Sequence, residues 1–244
     1  MNTPHTPSTP ILFYGVPGGS SFGSIVALEW LGRPYRLTRI GMPEQVKSPA
    51  YAAINPLGET PSLRTADGRL ISESAAILNH VNALGLPYGR GVAQGTPEFD
   101  AMNYALSFLN TTFYGAFAPL WALLEHGPES EMAAAALKDY GHAAVQKAHA
   151  ALERLLEGRT WMAGDQRTVA DAYFMGIARW LDYHQVFPRD RFPRVHALYE
   201  RLRDDPAVRV AEAAEAGEPL PAAAVATAQL TLDEALALLP SDAR

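Results

Sequence analysis

Two clusters of residues, at 55–63 and 72–74, have the types and spacing to bind a small anionic peptide. The first reads Asn55-Pro56-Leu57-Gly58-Glu59-Thr60-Pro61-Ser62-Leu63; the second, Ser72-Glu73-Ser74, follows the turn residues Ala66-Asp67-Gly68. Proline is tolerated at the first position of a strand. A cis bond before Pro61 would turn the Thr60 backbone outward as an unpaired edge, to which an extended peptide can add. Ser72-Glu73-Ser74 opens an apolar run of helical period, so free backbone N–H groups and short polar side chains converge where a carboxylate is stabilised.

The elements that must position these residues follow from the apolar pattern. Ile11-Leu12-Phe13-Tyr14 suits a buried strand, and Gly15-Val16-Pro17-Gly18-Gly19-Ser20-Ser21 is a glycine-rich loop ending at a helix cap. The helix carrying Ile25, Leu28, solvated Glu29 and Leu31 stops at Gly32, and residues 35–40 form a second strand. A short helix over 49–54, hairpin strands near 62–65 and 69–72, and a helix over 73–83 complete a βαβαββα order. The handedness of βαβ crossovers makes the first two strands parallel neighbours, and the Asp67-Gly68 turn makes the last two antiparallel.

Residues 85–96 are rich in glycine and read as a linker, and residues 1–9 read as a flexible arm. Over 97–218 helical spacing takes over. Tyr104, Phe108, Phe113, Phe117, Leu120 and Leu124 mark one long helix bent near Gly115 or Pro119, and Leu137 to Leu155 mark another. Thr168-Val169-Ala170-Asp171 has capping-box spacing and is assigned to folding. The fold class is α+β, a mixed N-terminal domain over 10–84 followed by an all-α bundle. In the extension over 219–244, Thr231 and Glu234 offer a second capping box ahead of Leu236, Leu238 and Leu239, with Pro240 as the stop. A helix so short must dock its leucines on the body or a partner if it forms; docking near the binding cleft would restrict acceptor entry.

Composition narrows the function. With no cysteine the chain has no disulfide, thiolate metal site or thiol nucleophile of its own. A net charge of −6 argues against nucleic acid and anionic membranes. The apolar runs are too short for a membrane helix and the first residues lack signal-peptide character, so a cytoplasmic location is expected. His142 and His149 lie two helical turns apart, about 10 Å, too far to share a metal, and no metal is expected.

The order of these motifs resembles the glutathione transferase family, whose pattern runs Asn-Pro-x-Gly-x-hydrophobic-Pro-x-Leu, a hairpin, then an acidic-Ser pair opening a helix. Thr60 replaces the usual aliphatic residue. The resemblance spans about residues 10–210 and implies a thioredoxin-like N-terminal domain with glutathione as co-substrate. It implies that the Thr60-Pro61 backbone holds the cysteinyl unit, that Glu73 faces the ammonium and Ser74 the carboxylate of the γ-glutamyl end, and that Lys47 is a candidate for the glycyl carboxylate. The stretch 27–35 is most similar to the bacterial beta class, with Ser20 in place of the catalytic cysteine. Three hydroxyls stand as candidates to stabilise the glutathione thiolate: Ser20, its neighbour Ser21, and Tyr14, which falls where the alpha-like classes place a tyrosine. Any of these serines can equally serve as a helix cap.

Tyr114, Phe117 and Phe113 are the candidates for an acceptor pocket, and their aromatic character points to an apolar or aromatic electrophile. The resemblance implies a homodimeric transferase in detoxification. A glutathione-dependent isomerase, dehalogenase or ether-cleaving enzyme shares the first site, and a non-catalytic binding module shares the fold.

Overall fold

The computed structural model describes residues 8–16, 18–127 and 130–239. Most of the expected flexible arm, and Pro240, lie outside them. The chain divides into two compact units, one running to Gly91 and resuming at Asp204, the other covering Val92–Arg203.

The first unit is built around β1 (Ile11–Val16), whose six residues are all buried. It continues through α1 (Phe22–Leu31), β2 (Tyr35–Gly41), α2 (Pro49–Ala52), β3 (Ser62–Arg64), β4 (Leu70–Ser72) and α3 (Ser74–Gly85). β1 pairs in parallel with β2 and antiparallel with β3, and β3 pairs antiparallel with β4. Gly32 closes α1 in the left-handed conformation, φ 70°, where glycine has no Cβ penalty. Gly68 likewise has φ 89° in the β3–β4 turn, and its N–H donates to the Thr65 carbonyl at 3.0 Å. This is the thioredoxin-like arrangement the βαβαββα order predicts.

The expected linker is partly structured, because α3 runs to Gly85 and a 3-10 turn follows at Leu86–Tyr88. Gly85 and Gly91 allow the backbone to fold back closely. A Cβ on Gly85 would lie 2.6 Å from the Arg90 carbonyl oxygen. These residues belong to the first unit, so the unit ends later than the glycine content implied.

The second unit is helical: α4 (Pro97–Phe108), α5 (Ala118–His126), α6 (Glu131–Leu155), α7 (Val169–Ala178), α8 (Trp180–Tyr183) and α9 (Pro193–Arg203). The expected bent helix is α4 and α5 joined by a π turn at Leu109–Phe113 and a 3-10 turn at Gly115–Phe117. α5 packs closely on α6 at Gly141, where a Cβ would meet the Leu120 side chain at 2.6 Å. The capping box at Thr168 forms as its spacing predicts, with Asp171 accepting from the Thr168 N–H at 2.7 Å. Among the described residues no helix is long and apolar enough to cross a membrane.

From Asp204 the chain returns to the first unit, contrary to a helical domain extending to 218. α10 (Pro206–Ala216) packs on α1. Then β5 (Ala226–Leu230) adds to β2 in parallel, giving the sheet order β4-β3-β1-β2-β5, and α11 (Leu232–Ala237) follows. The Thr231–Glu234 box is present in α11. The amino-acid sequence does not announce this strand because Ala226-Thr227-Ala228-Gln229-Leu230 has too little apolar contrast to show its alternation, which appears only as a buried and half-buried face against exposed positions. The helix docks on this unit's own β2 and α2.

Glu29, expected to be solvated, accepts from the Val225 N–H at 2.9 Å, the Ala226 N–H at 3.0 Å and the Tyr35 hydroxyl at 2.8 Å. It tethers the start of β5, because backbone donors entering an edge strand require an acceptor. Truncation after Glu218 should therefore uncover apolar sheet surface and lower the melting temperature by about 5 °C or more, corresponding to roughly 2 kcal/mol in a chain of this size. Calorimetry of the truncated chain checks this, and an unchanged melting temperature would refute docking.

Candidate functional site

The structure brings the ends of β1, α1 and α3 together within the first unit. The Gly15 N–H donates to the Ser21 hydroxyl oxygen at 3.1 Å, pinning the loop to the strand end. Ser21 is buried and makes no side-chain cap on α1, so its oxygen serves this loop. A Cβ on Gly19 would lie 3.2 Å from both the Gly15 carbonyl oxygen and the Ser21 hydroxyl, so the turn favours glycine there.

Ser20, half-buried, lies 3.3 Å from Ser74, hydroxyl to hydroxyl, so the two candidates meet although 54 residues apart. Ser74 is the first residue of α3, and the side chain of the N-cap residue Glu73 makes no cap bond to that helix. Its leading N–H groups and positive end therefore suit an anion. Glu73 precedes it at φ 73°, ψ 127°, a conformation that costs a non-glycine residue about 1–3 kcal/mol and clusters at functional sites. Its carboxylate is exposed and uncommitted to capping.

The other edge is organised by Tyr51 and Asn55. The Glu59 carbonyl accepts from the Tyr51 hydroxyl and from Asn55 Nδ2, each at 2.9 Å. Asn55 Oδ1 accepts from the Leu57 N–H at 3.1 Å, closing the Asn-Pro-x-Gly turn. These bonds fix the peptide just before Thr60, whose bond to Pro61 is cis. The Met42-Pro43 bond, for which there was no expectation, is also cis. The Thr60 side chain packs against Gly15, leaving no room there for a Cβ. The signal for Asn55 was its place at the head of the turn; Tyr51 lies one helical turn before it. Lys47 is exposed, between buried Val46 and Ser48, the cap of α2.

Tyr14 is engaged by the fold of its own unit. Its hydroxyl donates to the Ala214 carbonyl of α10 at 2.9 Å, and burial pushes its pKa up to about 12. The side chain alternates to the face opposite Phe13, where α10 offers a backbone acceptor.

Within the helical unit, Phe113 and Phe117 are fully buried and do not line an open pocket. Their four-residue spacing points them into the unit's core, ring centroids 5.9 Å apart, with His149 4.7 Å from Phe113. Tyr114 is 40% exposed and meets Trp180 edge-on at 5.1 Å. His149 is kept neutral by this apolar enclosure, which lowers its pKa to about 4, and Nδ1–H donates to the Val145 carbonyl at 2.8 Å.

The fold is a thioredoxin-like unit joined in one chain to an all-α unit. The model for the glutathione S-transferase N-terminal domain matches residues 21–84, and that for the C-terminal domain matches 106–206. The chain belongs to the glutathione S-transferase family. It is 29% identical over 208 residues to a glutathione S-transferase of Xanthomonas campestris pv. campestris, covering 83% of this chain and 97% of that one. A glutathione S-transferase structure from Xylella fastidiosa superposes with a TM-score of 0.76 at 25% identity, covering 86% of this chain and all of that one. A sphingomonad glutathione S-transferase solved in complex with glutathione gives 0.71 at 27% identity, covering 84% and 98%. β5 and α11 lie beyond both matched stretches.

Two predictions follow from the buried groups. Tyr14→Phe should cost about 1 kcal/mol of stability through the lost buried hydrogen bond to the Ala214 carbonyl, which keeps its bond from the Gly217 N–H, and leave turnover intact; a large loss of turnover would make Tyr14 the donor. For His149, the unfolded chain takes up a proton near pH 6.5 but the folded one only near 4. Its contribution is thus complete above about pH 6.5 and is lost as the pH falls toward 4. Thermal unfolding of His149→Leu should show a shallower acid loss than the unaltered chain, and equal slopes would refute this.

Proposed function

We propose that this transferase binds glutathione along the Thr60 edge and stabilises its thiolate with the Ser20 hydroxyl. The observation that carries the reading is the meeting of Ser20 and Ser74 at 3.3 Å beside the starts of α1 and α3, while the hydroxyl of Tyr14 and the oxygen of Ser21 are engaged elsewhere. The sphingomonad relative solved in complex with glutathione supports glutathione as the ligand. In this reading Thr60 main-chain groups bind the cysteinyl unit, Glu73 the ammonium, Ser74 and the α3 N-terminus the γ-glutamyl carboxylate, and Lys47 the glycyl carboxylate.

A free thiol has a pKa of about 8.5, so at neutral pH a donor and a positive helix end are needed to favour the thiolate. The sulfur then attacks an apolar or aromatic electrophile. A carbon–sulfur bond forms as the leaving group departs with its electron pair. Tyr114 is the remaining aromatic candidate for the acceptor side, and a homodimer is the assembly.

Ser20→Ala should raise the pKa of bound glutathione by about one unit and lower kcat about tenfold, with affinity nearly unchanged, because the lost bond belongs to the charged sulfur. Spectroscopic titration of the bound thiol and steady-state kinetics check this. Unaltered turnover would remove Ser20 from the mechanism. By calorimetry Glu73→Ala should weaken binding far more than Glu98→Ala; Glu29→Ala is unsuited as the control because Glu29 holds β5.

A further inference from the structure

We propose that the C-terminal β5–α11 segment positions the Thr60 main chain and the Lys47 turn for glutathione, acting through the packing of Leu232, Ala235 and Leu239 with Val46 and Tyr51. The functional part of this inference rests on the glutathione reading above. Leu232, Ala235 and Leu239 belong to one buried apolar cluster with Ile11, Phe13 and Ile40 of the sheet and with Val46, Tyr51 and Ile54 of the α2 segment. α11 packs directly on both β2 and α2. α2 has only four residues, too few to hold a helix by its own hydrogen bonds, so its order must come from what packs on it.

Tyr51 links that packing to the site. Its ring meets Phe13 edge-on, centroids 6.2 Å apart, while its hydroxyl donates to the Glu59 carbonyl, one residue before Thr60. Burial pushes this hydroxyl up to about 12, which keeps it a donor across the working range. Val46 is the neighbour of Lys47, and its N–H donates to the Gly41 carbonyl at 3.3 Å, so the turn bearing Lys47 is held from the same cluster.

The segment is itself anchored independently of α2. Glu29 takes the Val225 and Ala226 N–H groups, the Thr227 hydroxyl donates to the Tyr35 carbonyl at 3.0 Å, and Gln229 Nε2 donates to the Glu218 carbonyl at 3.1 Å. With β5 paired to β2, α11 is carried by the sheet and can transmit its rigidity to the α2 segment. An edge ordered in advance spares a peptide part of the cost of ordering it on binding.

The test uses the full chain with Leu232→Ala and the conservative Leu232→Met. Leu232→Ala should speed amide hydrogen exchange over residues 46–60 and raise the KM for glutathione about fivefold. Its kcat, measured at saturating glutathione with an electron-poor aryl halide as acceptor, should stay near that of the unaltered chain. Leu232→Met should restore both exchange and KM. A lowered melting temperature with unchanged exchange over 46–60 and unchanged KM would overturn the proposal, leaving the segment a stabiliser only. If calorimetry finds no glutathione binding to the unaltered chain, the functional reading fails separately. Exchange then decides the positioning claim alone: faster exchange supports it and unchanged exchange overturns it.

Discussion

The burial of β1 on both faces is the constraint from which the rest of the glutathione S-transferase unit follows. A strand with a parallel neighbour and no exposed residue must be covered above and below, since an uncovered face would leave apolar side chains in water. On the face bearing Ile11 and Phe13 the cover comes from the α2 segment and from α11. Tyr14 alternates to the other face, where its hydroxyl finds α10. Because β1 cannot shift, the loop at its end is pinned, and Ser20 is delivered to the start of α3.

Hydrogen-bond allocation then separates residues that carry the same functional group, a hydroxyl. Three hydroxyls near the end of β1 could each donate one hydrogen bond. Tyr14 donates to a backbone carbonyl and Ser21 accepts from a backbone N–H, both in service of the fold. Ser20 alone of the three meets a residue at another helix start. The same logic explains the Thr60 edge: two side-chain donors on the Glu59 carbonyl hold the preceding peptide in place although it lies in a loop.

The C-terminal segment shows how a chain can reinforce such an edge from a distance in sequence. Glu29 accepts N–H groups from residues 196 and 197 positions later, and α11 closes over a helix of four residues. A loop held only at its ends would have more freedom than one enclosed between a sheet and a helix.

Local patterns in the amino-acid sequence determined much of this architecture: the apolar run of β1, the glycine stops, the Asn-Pro-x-Gly turn, and both capping boxes at Thr168 and Thr231. Each depends on a residue's own backbone preference or on partners within a few positions, so its physics is complete in a short window. The start of α3 at Ser74 was legible for the same reason. The Ser20–Ser74 meeting, the loss of Tyr14 to Ala214, the enclosure of Phe113 and Phe117, the tether at Glu29 and the strand at 226–230 were not. In each the partner is far away in the chain or the local apolar contrast is small, and periodicity shows that a side chain is buried without showing what it meets. Only the tertiary structure decided those pairings, because a buried polar group takes whichever partner the packing of distant elements brings within hydrogen-bonding distance.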